Sequence, residues 1–371
     1  MTLRPPIVVL LGGPSAEHDV SIVSGNAIAD ALEDAGHPVE RILIDLAGGW
    51  WRLPPGVRGS GPATAFDDPA ALGASGPETA GAAVDELAAR EPAPVVFIAL
   101  HGPFGEDGTV QAILEAAGLA YTGCRVTASA LGMDKAIFKR LVRGLGLPVG
   151  DWREVSATRW ADDPAGVLAE LEAFAAATGD PRLMVKPARL GSSVGMTLAH
   201  DPSERAAAIE TALGHDSLAL AEAYLAGARD LEVSVLGNDP GRLELYGPGE
   251  IIAGHEFYDY EAKYQPGLSQ TTPTAEVDPP TKATILKIAR DAYRAIGAEG
   301  FARVDFLLTE RGVFLSEINT IPGFTPISLF PVMAAAGGYT FGSVAERIVE
   351  LAIERRATVV RRRLTPADLP R

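Results

Sequence analysis

Short apolar runs alternate with helical patterns through the first third of the chain. Residues 7–11 (Ile-Val-Val-Leu-Leu) are apolar at every position, as in a strand buried on both faces. Gly12-Gly-Pro-Ser15 makes a turn, and Ser15 is placed to cap the helix that follows. Val20, Val23, Ala27 and Ala31 recur at helical spacing, with Gly36 as a stop. Residues 39–45 read as a second strand and 95–100 as the next. This order predicts an α/β doubly wound unit, whose ligands bind off the carboxyl ends of strands. Gly12 to Glu17 and His101 to Asp107 lie at two such ends and can line one crevice.

Residues 48–92 are rich in Gly, Pro and Ala and read as an elaborated connection, with a helix near 81–90 and packing roles for Trp50 and Trp51. Further helices are predicted at 130–145, 164–178 and 341–355, and the basic tail 356–371 reads as peripheral. Residues 184–196 run from an apolar start through Lys186 and Pro187 into Gly191-Ser-Ser-Val-Gly195. Gly-rich backbone, two hydroxyls and a lysine can wrap an anion, although no Walker motif occurs. An ordinary tight strand connection is the plainer alternative. Residues 301–308 and 313–319 read as two strands joined by a turn at 309–312. Alternation puts Arg303 and Asp305 on one face, and Glu317 and Asn319 on one face. A loop with an odd number of residues would bring all four to the same side. Two carboxylates and an amide oxygen are hard ligands that suit Mg²⁺ bridging nucleotide phosphates; the alternative is a solvated polar side of a hairpin.

Composition narrows the classes. The 371 residues allow two or three domains, and 47% hydrophobic content supports a substantial core. A net charge of −16 argues against general nucleic-acid or anionic-membrane binding. Of only six lysines, Lys135, Lys186 and Lys263 fall within the motifs below. Cys124 is the single cysteine, so no intrachain disulfide framework is expected and a small buried role is. With no basic segment leading into an apolar stretch at the start and no run of about 18 apolar residues, a soluble cytoplasmic protein is expected.

Seven motifs occur in order: Gly12-Gly-Pro-Ser-Ala-Glu-His-Asp-Val-Ser21, His101-Gly-Pro-Phe-Gly-Glu-Asp-Gly108, Gly132-Met-Asp-Lys135, the Lys186–Gly195 loop, Phe257-Tyr-Asp-Tyr-Glu-Ala-Lys-Tyr264, Arg303-Val-Asp305, and Glu317-Ile-Asn-Thr-Ile-Pro-Gly-Phe-Thr-Pro-Ile-Ser328. Together they resemble the D-alanine–D-alanine ligases, ATP-grasp enzymes, over nearly the whole chain except 48–92 and the tail. The resemblance implies three α/β domains: a doubly wound N-terminal domain (1–123), a central domain (124–221) and a C-terminal domain (222–371), with ATP between the last two. It implies ligation of two D-alanine molecules through an acyl phosphate, for peptidoglycan precursors, by a homodimer.

Roles carry over residue by residue. Asp305, Glu317 and Asn319 match the family's ligands for two Mg²⁺ ions, which Mn²⁺ can replace. Lys135, Lys186 and Ser193 match its nucleotide-phosphate contacts. Glu222 and Leu225 match the adenine pocket, and Asp230 falls where the family has a ribose-binding glutamate, one carbon longer. Arg303 and the Gly323 N–H match the oxyanion stabilisers. Glu17 matches the holder of the first substrate's ammonium, in a network with Ser192 and Tyr264. Lys263, Ser328 and Leu329 match the second-substrate site, and His101 lies near the substrates or braces a loop. Tyr264 stands where ester-forming relatives often place a histidine, which favours D-alanine as second substrate; D-serine and glycine stay open as slower ones. Two rivals remain: another ATP-grasp carboxylate–amine ligase, and a non-catalytic nucleotide-binding protein. The Glu17, Tyr264 and Ser328 matches oppose the first, and the complete set of Arg303, Asp305, Glu317 and Asn319 opposes the second.

Overall fold

The structure, a computed structural model, describes residues 4–59, 61–253 and 269–360. Its first unit comprises β1 (Ile7–Gly12), α1 (His18–Asp34), β2 (Val39–Ile44), β3 (Trp50–Arg52), β4 (Ser75–Glu78), α2 (Ala80–Ala88), β5 (Val95–Ile98), α3 (Thr109–Ala116) and β6 (Ala120–Tyr121). The sheet order is β4-β3-β2-β1-β5-β6, parallel from β2 to β6. The unbroken apolar run of β1 has a direct cause. Ile7 and Val9 pack with Ile28, Ala29 and Leu32 of α1, while Val8 and Leu10 pack with residues of α2 and α3 on the opposite face. Residues 48–92 add β3 and β4 as antiparallel edge strands, and Trp50 is buried as expected. Ser15 does not cap α1. Its hydroxyl donates to the His101 carbonyl (2.8 Å) and accepts from the Glu17 N–H (3.1 Å), so it ties two loops together.

The second unit comprises α4 (Val126–Met133), α5 (Lys135–Gly144), β7 (Trp152–Ser156), α6 (Ala157–Asp162), α7 (Pro164–Thr178), β8 (Leu183–Pro187), β9 (Thr197–Ala199), α8 (Arg205–Leu213) and β10 (Leu218–Ala223). Its antiparallel sheet has the order β7-β10-β8-β9. The single helix expected over 130–145 is two. Asp134 takes an extended conformation (φ −85°, ψ 96°) and its carboxylate accepts the Ile137 N–H (2.9 Å), which starts α5 afresh. That break places Lys135 in the first turn of α5. Both helices pack into the core of the third unit, which Trp152 and Leu220 of the nearer sheet join.

The third unit comprises β11 (Arg229–Leu236), β12 (Glu244–Ala253), β13 (Ser269–Thr272), α9 (Pro279–Ala295), β14 (Phe301–Thr309), β15 (Gly312–Asn319), α10 (Leu329–Ala335) and α11 (Phe341–Val360), the last running past its expected end at 355. The antiparallel order is β13-β12-β11-β14-β15. Helix α11 and Phe324 pack against β1 and β5, and Ile321 joins the apolar cluster on the other face of the first sheet. The first and third units therefore share buried apolar surface. Among the described residues no helix is long and apolar enough to cross a membrane.

One close approach tests this packing. A Cβ on Gly25 of α1 would stand 2.5 Å from the Leu11 Cβ, whereas one on Gly81 of α2 would meet nothing within 4 Å. Gly25→Ala should destabilise by about 1–3 kcal/mol, and Gly81→Ala should be neutral or gain up to ~1 kcal/mol. Urea unfolding midpoints measure both, and equal shifts would contradict the α1–β1 contact.

Candidate functional site

A cavity of about 270 Å³ opens between the second and third sheets under the loop at 191–194. Ten of the expected site residues line it: Lys135, Lys186, Ser192, Ser193, Glu222, Leu225, Asp230, Arg303, Asp305 and Glu317. Met184, Tyr224, Leu231 and Phe306 supply apolar wall, which suits a flat ring next to polar groups. Asn319, Glu17, His101, Gly323, Ser328 and Leu329 stand outside the lining. Lys263 and Tyr264 lie outside the described residues.

The acidic face is set by strand register. Asp305 faces Glu317, and Arg303 faces Asn319, so all four side chains share one side of the sheet. The cause is not an odd loop. Thr309 pairs with Gly312 across a two-residue turn, a register that would oppose Asp305 to Ser316. A bulge between Asp305 and Phe306 inserts one residue and brings Glu317 into place. On the other flank Glu232 of β11 faces Asp305, so Glu232, Asp305 and Glu317 form a row across three strands. Arg303 grips both oxygens of Asp305 (2.7 and 2.6 Å) and lies 3.2 Å from Glu232. Burial alone would lower the Arg303 pKa; Asp305 and Glu232 outweigh it and hold the guanidinium firmly charged.

These donors fit a hard cation. Two carboxylates and an amide occupy adjacent register positions, and Arg303 and Lys135 now stand at the carboxylates as counter-charges. Among the described residues no group of three His, Cys, Asp or Glu is arranged to hold a metal ion by itself. Asp305, Glu317 and Asn319 thus offer a partial oxygen set to be completed from outside the chain, as Mg²⁺ sites usually are.

Three lysines face the acids. Lys135 donates to the Leu190 carbonyl (2.8 Å) and lies 3.3 Å from Glu317. Lys186 of β8 and Lys139 of α5 both stand 3.1 Å from the same oxygen of Glu222. Burial raises the Glu222 carboxyl, but the two ammonium groups outweigh it and hold it below the usual range. Lys139, fully buried beside the Trp152 ring, is pushed down by desolvation, while Glu222 and Glu317 overcome the same burial at Lys186 and raise it. Above them, Ser192 (φ 51°) and Ser193 (φ 57°) are both left-handed, a strained turn that Asn or Gly would adopt more readily. The strain lets the Ser192 hydroxyl donate to Oε1 of Glu17 in the first unit.

Glu17 is buried at the start of α1, and its Oε2 has no hydrogen-bond partner among the described residues. A Cβ on either Gly102 or Gly191 would come 2.6 Å from that oxygen, so glycine at both positions permits the approach. His101 braces its loop. Its Nδ1–H donates to the Ile321 carbonyl (2.9 Å) and its Nε2 accepts from the Ser24 hydroxyl (2.9 Å), the neutral tautomer that burial also favours. Ser328 accepts from the Thr325 N–H (3.0 Å) and precedes α10, with Leu329 buried behind it. Lys139, Glu106 and Glu232 escaped the sequence reading. The i, i+4 spacing of Lys139 from Lys135, and the alternation of Glu232 with Asp230, were the available signals. Glu106 sits inside a motif whose weight fell on His101.

A sequence model described as the D-ala D-ala ligase N-terminus matches residues 6–124, and one described as the D-ala D-ala ligase C-terminus matches 141–350. The chain is 40% identical over 372 residues to a D-alanine–D-alanine ligase from Chlorobaculum tepidum, covering 95% of this chain and 98% of the relative. It is 40% identical to a D-alanine–D-alanine ligase A from Mesorhizobium japonicum, covering 96% and 99%. Among solved structures it resembles the D-alanine–D-alanine ligase from Coxiella burnetii (TM-score 0.74, 31% identity, 96% of this chain and 97% of that one). It also resembles the VanG D-Ala:D-Ser ligase from Enterococcus faecalis (TM-score 0.73, 28% identity, 94% and 99%).

Glu106 gives the site a pH signature. Its carboxyl accepts from the Gly102 N–H (2.8 Å) and the Ile321 N–H (3.3 Å). Burial and the nearby Glu17 push its pKa up to about 8, against the pull of those N–H groups and Lys135. A raised carboxyl pKa means that the native state binds more protons than the unfolded one between the ordinary value of 4.5 and about 8. The Glu106 contribution to stability therefore falls as pH rises through that window. The melting-temperature difference, wild type minus Glu106→Gln, should be larger at pH 5 than at pH 9; a constant difference would contradict it.

Proposed function

The chain belongs to the D-alanine–D-alanine ligase family and has its ATP-grasp fold, and from that premise we propose a mechanism in which two D-alanine molecules are joined at the expense of ATP. The observation that carries this reading is the meeting of Lys135, Lys186, Arg303, Asp305 and Glu317 around one cavity whose loop is tied by Ser192 to Glu17. A phosphoryl-transfer site asks chiefly for placed charge, and an amino-acid site asks for a buried carboxylate facing an ammonium.

Lys135, Lys186 and Ser193 neutralise and align the nucleotide phosphates, while Glu222 and Leu225 border the base and Asp230 the ribose. Asp305, Glu317 and Asn319 would hold Mg²⁺, two ions with Mn²⁺ as a substitute, and the bound metal supplies charge neutralisation at the phosphates. Glu17 orients the ammonium of the first D-alanine, with Tyr264 in the same network. A carboxylate oxygen of that D-alanine forms a bond to the γ-phosphorus as the bond to ADP breaks. The second D-alanine, held by Lys263, Ser328 and Leu329, loses one ammonium proton to solvent and its amine attacks the acyl carbon, its second proton leaving with the phosphate. Arg303 and the Gly323 N–H stabilise the oxyanion, and phosphate leaves as the peptide bond forms. His101 acts by bracing. Three domains, divided near 123 and 221, a homodimer and a cytoplasmic location belong to the same reading.

With ATP, Mg²⁺ and D-alanine, phosphate release should match D-alanyl-D-alanine formation by mass spectrometry. ATP binding without D-alanine-dependent release would overturn the substrate assignment, and D-serine, D-lactate and glycine as second substrates measure its selectivity. Arg303→Ala should lower turnover by at least ~10²-fold with ATP binding kept; near-normal turnover would remove Arg303 from the oxyanion role.

A further inference from the structure

We propose that Glu106 is a positioning residue: together with His101 it clamps the Ile321 peptide from both sides and so fixes where the Gly323 N–H stands. The inference rests on the oxyanion role proposed for Gly323.

Both ends of one residue's backbone are held by one loop of another unit. The His101 Nδ1–H donates to the Ile321 carbonyl (2.9 Å), and the Ile321 N–H donates to Glu106 Oε2 (3.3 Å). The loop itself cannot drift. The other Glu106 oxygen accepts the Gly102 N–H (2.8 Å), and the His101 N–H donates to the Ser21 hydroxyl on α1 (2.8 Å). The Ser24 hydroxyl, also on α1, fixes the imidazole tautomer. From Ile321 the chain reaches Gly323 through Pro322 alone, whose ring locks φ. On the far side Phe324 is buried among Phe97, Phe301, Phe330 and Phe341. Gly323, only half-buried, is thus pinned at both flanks while its own N–H has no partner among the described residues.

The same loop also shapes the Glu17 pocket, because a Cβ on Gly102 would come 2.6 Å from Glu17 Oε2. One loop therefore sets the separation between the carboxylate that takes the ammonium and the donor that takes the oxyanion. Burying a carboxyl with only two backbone N–H partners is costly. Placing an oxyanion donor to within fractions of an ångström is a function that returns this cost as rate.

Glu106→Gln tests it. The amide has one acceptor and one donor group, and both partners are donors, so one N–H loses its acceptor. The expected result is a kcat reduced about 10- to 100-fold with the ATP KM unchanged. Affinity for a phosphinate dipeptide, whose tetrahedral phosphorus mimics the oxyanion species, should fall by the same factor. A lowered melting temperature with kcat and mimic affinity intact would make Glu106 merely structural and overturn the proposal. Should Glu106→Gln not fold, His101→Ala frees the other end of the same peptide and should give the same split. Arg303→Ala separates the two layers. If the mimic binds Arg303→Ala as tightly as wild type, the oxyanion reading itself fails. If Arg303→Ala loses the mimic while Glu106→Gln keeps it, only the clamp fails.

Discussion

Setting the carboxylates that line the cavity against cations is the constraint from which the site follows. Glu222 is compensated by Lys139 and Lys186, Asp305 and Glu232 by Arg303, and Glu317 by Lys135. Removing one partner of a buried pair typically costs ~3–5 kcal/mol, because the charge left behind has no solvent. In a chain of net charge −16 such cations are a limited resource, and they are gathered where the acids are. Sharing has a further consequence. Two ammonium groups on one Glu222 oxygen leave it compensated when either lysine turns to another anion, and Glu232 does the same for Arg303 when Asp305 takes a different partner.

No single unit could build this arrangement. Glu17 comes from the first unit, the strained Ser192–Ser193 turn from the second, and the Arg303 and Asp305 face from the third. Three junctions stand at the site: the Ser192 hydroxyl on Glu17, the Ile321 peptide between His101 and Glu106, and the Lys135 ammonium between Leu190 and Glu317. Each junction places a group that the proposed chemistry uses at the end of a rigid element. Hydrophobic sharing between the first and third units keeps those ends in register.

Much of this was legible in the chain. Alternation located the hairpin and its acidic face, small residues marked the loop that covers the cavity, and the β1 run announced a strand covered on both sides. The failures have physical causes. Helical periodicity continues through Gly132-Met-Asp-Lys135, so the break at Asp134 depends on a capping bond that pattern alone does not reveal. The bulge that aligns Glu317 with Asp305 is a property of pairing, not of either strand. Lys139 drew no reading because its partner Glu222 is far away in sequence. For His101 the chain left two roles open, near the substrates or bracing a loop, and the bonds of its ring nitrogens to Ile321 and Ser24 supply the bracing.

The central claim is that this site activates a D-alanine carboxylate by phosphorylating it before the amine attacks. D-alanine labelled with ¹⁸O in its carboxylate tests that directly, because the bridging oxygen of the acyl phosphate leaves with the phosphate. The account predicts one ¹⁸O in each inorganic phosphate released during dipeptide formation. Phosphate that carries no label would contradict it.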